Sequence, residues 1–327
     1  MSFNRQNYIR LSEEYRQGYR LAEARAEDRR AEIHMVIPEI AKIDRALATV
    51  SSQIMAAAMQ SHGKEDALSA IEQIRAQNQA MNERRRALLR ENGYPENYTE
   101  PRYACTACGD TGFVGTSVCE CLRRALVDAG YDSAGIRAIK DKCSFETFSL
   151  EYYRSSPEHY QRMSQILRTA REYAEGFTLR SDNLLLVGGT GLGKTHLSVA
   201  IAKAVVERGY DVKYTSAIGM ISDFEAQRFG NSSGAAQGAG DTSVYFGCEL
   251  LVIDDLGTEM NNQFTSTSLY NLINLRLDRG LPTVISTNLS PQDLRTRYWD
   301  RITSRMFGEY RILPFIGKDV RMQKITQ

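Results

Sequence analysis

One stretch of the chain restricts its fold more than any other. Leu184–Val187 is a run of four apolar residues, followed by Gly188-Gly189-Thr190-Gly191-Leu192-Gly193-Lys194-Thr195-His196 and then by an apolar run through Val206. An unalternated apolar run suits a strand covered on both faces. Glycines directly after it demand a tight turn, and the longer apolar stretch beyond reads as a helix. Strand, glycine-rich turn and helix in that order open a βαβ unit, which requires a parallel sheet. The same turn has a chemical reading. Glycines allow successive backbone N–H groups to face an anion, and the helix N-terminus adds partial positive charge. With Gly188 and Gly193 five apart and Lys194-Thr195 following, Lys194 is expected to reach the β- and γ-phosphates of a nucleotide and the Thr195 hydroxyl to ligate Mg²⁺. A glycine-rich turn with no ligand is the bland alternative.

Two further strand ends fit the same site. Leu250–Ile253 is a second buried-strand run, and it ends in Asp254-Asp255. A carboxylate at such a strand end can hold Mg²⁺, and the next one can orient and polarise a water. Asp254 is assigned to the metal and Asp255 to the water. The run TVISTNLS ends in Thr287-Asn288. Asn288 would sit between the other two strand ends and could position the water or touch the γ-phosphate. Its alternative role is helix N-cap, because Ser290-Pro291 follows. From Asn183 onward the alternation of strand and helix predicts an α/β domain with helices on both faces of a parallel sheet. Residues 230–243 (GNSSGAAQGAGDTS) read as a flexible loop.

The first 95 residues differ in kind. They are rich in Arg, Glu and Ala, with Pro38 their one mid-segment proline. Tyr8, Leu11, Tyr15 and Tyr19 recur at helical spacing, as do Ile40, Ile43, Leu47, Val50 and Ile54 after Pro38. Ile71, Ile74, Met81 and Leu88 form a third stripe, interrupted by Asn78 and Arg85, with His62-Gly63 as the turn signal before it. Two or three amphipathic helices are expected. They form either a hairpin that buries its own stripe or a docking surface for a partner. Residues 122–180 read as a basic helix, a connector and a helix near 157–176.

Cys105-x₂-Cys108 and Cys119-x-Cys121 stand ten residues apart, among glycines 109, 112 and 115. Four soft ligands on two knuckles suit tetrahedral zinc, and the glycines suit the turns of a small β-ribbon. A unit this small cannot bury a core, so the metal would have to hold it together. Reduced, unligated thiols are the alternative. Cys143 and Cys248 read instead as buried small apolar residues.

Charge and hydropathy exclude several classes. Lys+Arg is 41 against Asp+Glu 40, so no global field draws the chain to nucleic acid or membrane. No apolar run approaches the roughly 20 residues that cross a bilayer, and the N-terminus has no signal-peptide core. A cytoplasmic protein with reduced cysteines is expected.

The order GGTGLGKTHL, LLVIDDLG, ISTNLS, RITSRMFG resembles that of the AAA+ ATPases of the DnaC/DnaI helicase-loader group, including the IstB-like transposition helpers. CSFETFSLEYY (143–153) resembles the segment leading into that ATPase domain, and CTACGDTGFVGTSVCECLRRAL resembles a cysteine-rich segment of some bacterial and phage members. The resemblance covers about residues 103–325; residues 1–95 match only in being helical. It implies an AAA+ P-loop three-layer parallel sheet, preceded by a helical N-terminal domain and a small zinc ribbon. The expected division is 1–95 partner-binding helices, 96–125 zinc ribbon, 126–180 connector and 181–327 AAA+ ATPase domain.

Roles follow residue by residue. Asn288 matches sensor 1. Arg305 matches the arginine finger that reaches a neighbouring subunit's γ-phosphate, with Arg301 the lesser candidate, and Arg321 sits where the family has a sensor-2-like arginine. Arg228 and Phe229, with Asn262 and Phe264, match positions that help line a pore for single-stranded DNA. Asp-Asp stands where many members have Asp-Glu, which fits slow hydrolysis stimulated by DNA or a partner. The chain stops soon after Arg321, leaving little room for the larger members' helical lid. The implied function is ATP-dependent loading of a replicative hexameric helicase onto single-stranded DNA by an oligomer formed in the ATP state. The implied cofactors are ATP, Mg²⁺ and Zn²⁺. An IstB-like helper acting on duplex DNA for a transposase, or an adaptor that binds nucleotide without hydrolysing it, are the other readings; the zinc ribbon favours the loader.

Overall fold

The structure, a computed structural model, describes residues 3–60, 64–229 and 241–325. Two compact units divide the chain: Ser12–Cys121, and Met1–Leu11 with Leu122–Gln327. Helices and cysteine segment, expected as separate domains, thus fall within one unit. The expected turn at His62-Gly63 and residues 230–240 of the expected loop lie outside the described residues.

The first unit holds most of α1 (Arg5–Val36), then α2 (Pro38–Ala48), α3 (Val50–Gln60), α4 (Lys64–Glu91) and the hairpin β1 (Phe113–Val114) and β2 (Ser117–Val118). Among the described residues, four helices replace the expected two or three. The stripe begun at Pro38 is broken at Thr49, which caps α2 through its backbone N–H. Ile33, Ile37, Ile40, Leu88 and Leu89 form a small core. α2 and α3 pack against α4. Arg85 interrupts the α4 stripe for a reason: its guanidinium donates to Asp44 (2.7 Å) and Thr99 (2.8 Å), and His34 completes the network on Asp44 (2.8 Å).

The second unit continues with α5 (Glu120–Ala134), α6 (Pro157–Glu175), β3 (Asn183–Val187), α7 (Lys194–Glu207), β4 (Val212–Ser216), α8 (Ala217–Phe229) and α9 (Ser243–Gly247). β5 (Leu250–Leu256), α10 (Gln263–Asp278), β6 (Thr283–Thr287), α11 (Pro291–Arg297), α12 (Asp300–Glu309), β7 (Tyr310–Pro314) and α13 (Val320–Ile325) follow. Among the described residues, five strands form one parallel sheet in the order β4-β5-β6-β3-β7. Asp241 to Ser243, expected as loop, lead into α9, with Thr242 buried.

Alternation within the apolar runs builds the three layers. Leu184, Leu186, Val252 and Val284 face a core shared with α6 and α7, whereas Leu185, Val187, Ile253 and Ile285 face one shared with α8, α10 and α12. Covering both faces removes any need for polar alternation, which is why these strands read as plain apolar runs. Local chemistry sets several helix starts. Ser156 caps α6 ahead of Pro157, and Ser290 with Asp293 forms a capping box on α11 ahead of Pro291. The cap on α11 is therefore Ser290, which leaves the Asn288 side chain for another task.

Candidate functional site

The ends of β3, β5 and β6 converge on a cleft of about 330 Å³. The loop 190–196 lines it, together with Asp255, Asn288 and Arg321. Gly193 caps α7 at φ 83, and a Cβ there would stand 2.7 Å from the Phe148 ring, so a side chain is excluded by backbone conformation and by space. Gly191 has φ 73, and its carbonyl accepts from the Val320 N–H at 3.0 Å, which ties the loop to the start of α13.

Lys194 is only 4% exposed. Its ammonium donates to the carbonyls of Gly188 (2.8 Å) and Gly189 (2.7 Å) and to Asn288 Oδ1 (2.5 Å). Burial pulls its pKa below the ordinary lysine value, against the attraction of Asp255 and Asp254. An ammonium held by neutral oxygens at the mouth of an amide-lined loop is ready to exchange them for phosphate oxygens. Gly188 and Gly189 act here through their carbonyls and do not line the cleft, unlike Thr190, Leu192, Thr195 and His196.

The two aspartates differ sharply. Asp254 is 4% exposed and accepts from Tyr214 (2.9 Å) and Ser286 (2.5 Å). Asp255 faces the cleft, accepts from Asn288 Nδ2 at 3.3 Å and has a positive φ of 54. Burial, then the charge of Asp254, raises its pKa above the ordinary aspartate value. Each carboxylate oxygen has two lone pairs, so Asp254 keeps capacity for a cation despite its two donors. Thr195 lines the cleft and Asp254 does not; a hydroxyl and a carboxylate are both ligand types that Mg²⁺ takes.

Other expected residues lie elsewhere. The Arg305 guanidinium stands 5.7 Å from the centre of the Tyr270 ring, and Arg301 lies over both Tyr270 and Trp299; neither lines the cleft. Arg228 lies over the Phe264 ring at 5.2 Å, and Phe264 packs against the core; Phe229 ends α8. Asn262 spends its side chain capping α10, accepting from the Thr265 N–H at 2.8 Å. His196 sits by the Ser144 carbonyl (2.8 Å), anchoring α7 to the segment before it. Cys248 is buried as expected, but Cys143 is half-buried and lines the cleft, because the segment 142–153 folds across the loop.

That segment is what the residue chemistry alone missed. Phe148, Tyr152 and Tyr153 line the cleft, and the Tyr153 hydroxyl donates to the Leu192 carbonyl at 2.9 Å. The aromatic cluster in CSFETFSLEYY was the available signal, since a purine needs flat apolar neighbours.

The four clustered cysteines meet. Cys105 and Cys119 sulfurs are 3.9 Å apart, those of Cys108 and Cys121 3.6 Å, and all four lie within 4.8 Å of one another. Tetrahedral zinc with bonds of about 2.3 Å sets its sulfurs about 3.8 Å apart, so the set fits zinc. Asp110 braces the first knuckle by accepting from the N–H groups of Ala104 (2.8 Å) and Cys105 (2.7 Å). β1 and β2 are the expected ribbon. Among the described residues, no helix is long and apolar enough to cross a membrane.

Escherichia coli (strain K12) replicative helicase loader DnaC is 24% identical over 198 residues, 60% of this chain and 76% of that protein. An ATP-binding protein of an insertion sequence in Mycobacterium tuberculosis is 26% identical over 197 residues, 59% of this chain and 73% of its own. The crystal structure of the DnaC helicase loader is 22% identical with a TM-score of 0.45, covering 54% of this chain and 97% of that one. The family of IstB-like ATP binding proteins matches residues 135–307, more than half the chain and the whole span from α6 to α11. The chain belongs to the IstB-like ATP-binding protein family.

Proposed function

We propose that this chain is an ATP-switched loader that places a replicative hexameric helicase on single-stranded DNA. The observation that carries the reading is the meeting of Lys194, Asp255, Asn288 and Arg321 at one cleft, in a chain whose similarity to the E. coli loader takes in 76% of that protein. In this reading residues 1–95 bind the helicase, 96–125 form the zinc ribbon, 126–180 connect, and 181–327 hydrolyse ATP.

The loop from Gly188 to His196 holds the triphosphate, with Lys194 on its terminal oxygens. Thr195 and Asp254 hold Mg²⁺, which when bound neutralises charge on the phosphates. Asp255 takes the proton of the attacking water as the new bond to the γ-phosphorus forms and the bond to ADP breaks. Asn288 keeps that water in line. Arg321 senses the nucleotide from within the chain, and Arg305 enters the site of a neighbouring subunit. That neither Arg305 nor Arg301 lines its own cleft supports action in trans. Cys105, Cys108, Cys119 and Cys121 hold one zinc ion. Arg228 and Phe229, with Phe264 and the start of α10 at Asn262, contact the strand, where stacking and phosphate attraction would act together.

The similarity to the insertion-sequence protein supports a second reading, a helper that assembles on duplex DNA. Co-purification with a hexameric replicative helicase, combined with ATPase assays with and without single-stranded DNA, separates them. A stable helicase complex and strand-stimulated turnover are expected. Stimulation by duplex DNA with no helicase complex selects the second reading, and nucleotide binding without turnover selects an adaptor.

A further inference from the structure

β5 does not run straight into the cleft. Its ladder with β6 pairs Ile253 with Ile285 and then Leu256 with Thr287, so Asp254 and Asp255 together face the single residue Ser286. Two residues against one is a bulge, which bends a strand and redirects a side chain. The Ser286 hydroxyl replaces the ladder bonds lost there. It accepts from the Asp255 N–H at 2.9 Å and donates to Asp254 Oδ1 at 2.5 Å. Thr287 closes the far side by donating to the Leu256 carbonyl at 2.7 Å. Tyr214, on β4, takes the other oxygen of Asp254 at 2.9 Å. Ser286 is fully buried, so no water can stand in for its hydroxyl. Asp255 has φ 54, a conformation that a non-glycine residue keeps only when its surroundings impose it.

We propose that Ser286 is a positioning residue for ATP hydrolysis: its one hydroxyl locks the Asp254–Asp255 bulge and thereby aims the Asp255 carboxylate into the cleft. The inference rests on the ATPase reading above. Ser286 touches neither the cleft nor a bound group, so it acts only through the two aspartates. Removing it frees Asp255 to relax from the left-handed conformation while the phosphate loop keeps its shape. A small misplacement of a reacting group costs about a hundredfold in rate.

The test is the full-length protein carrying Ser286→Ala, Ser286→Cys or Ser286→Thr, measured with ATP and Mg²⁺ in the presence of single-stranded DNA. Ser286→Ala and Ser286→Cys are expected to lower kcat by about ten- to a hundredfold, while the affinity for ATP measured without Mg²⁺ stays within about threefold, an effect of less than about 0.7 kcal/mol. Ser286→Thr, which keeps the hydroxyl, should restore most of kcat. Wild-type kcat in Ser286→Ala, or a loss confined to ATP binding, overturns the proposal and leaves the ATPase reading intact. Wild-type protein that binds ATP without turning it over overturns both. Should Ser286→Ala not fold, Cys and Thr carry the comparison: an active Thr variant beside a slow Cys variant supports the proposal, and equal rates overturn it.

Discussion

In the proposed hydrolysis Asp255 is the base, and its carboxylate faces the cleft. Burial, then the charge of Asp254, raises its pKa, so in the folded protein the proton leaves at higher pH than usual. A base works only when deprotonated. The hydrolysis rate should therefore fall on the acid side, through a pH above the ordinary aspartate value of about 3.9, and a pH–rate profile checks this. Asp255→Asn should keep ATP binding and lower kcat by at least about a hundredfold. Lys194 is the converse case. Its ammonium serves the bound state, so Lys194→Ala should weaken ATP binding by about ten- to a hundredfold, measured by calorimetry. Unchanged affinity would remove the site assignment.

Elements carry their own predictions. The cysteine hairpin has two-residue strands and almost no core, so its order depends on the four sulfurs. Native mass spectrometry should find about one zinc per chain, and Cys108→Ser should remove it. Protein purified without chelator and free of metal would sink this. In the helical unit, Asp44 links three helices through His34 and Arg85. Burial alone would push its carboxyl up, but the bonds from Arg85 and His34 outweigh it and hold the pKa below the ordinary value. Its contribution is thus complete above the unfolded value, about 3.9, and is lost as pH falls through the lower folded value. Asp44→Asn should cost about 1.5–3 kcal/mol at neutral pH. The difference from wild type in thermal melting should shrink as pH drops toward 3.

For the whole molecule the question is whether one chain suffices. Arg305 lies on α12 against Tyr270, away from its own cleft. A guanidinium reaching a neighbour's phosphate is worth about 10³ or more in rate where fingers have been measured. Arg305→Ala should bind ATP normally and lose turnover. Mixing it with Lys194→Ala subunits should restore part of the activity, because one variant keeps the loop and the other keeps the finger. No recovery over a range of mixing ratios would argue against action in trans.

The parallel sheet, the glycine-rich loop and the cysteine cluster were legible because each is specified by neighbouring residues. An unalternated strand beside glycines, or cysteines two residues apart, needs no distant partner to be recognised. Several features needed the tertiary structure. Ser286 in ISTN looks like ordinary strand filler until the β5–β6 register sets it against both aspartates. No motif surrounds Arg276, yet it is 1% exposed and donates to Thr283, Tyr245, Cys248 and Pro282. The aromatic segment 148–153 joined the cleft only by folding across the loop. The chain by itself determined which local pieces form, since propensity and spacing act over a few residues. Which side chains meet was decided by strand order and register, because those contacts close over separations of 30 residues or more.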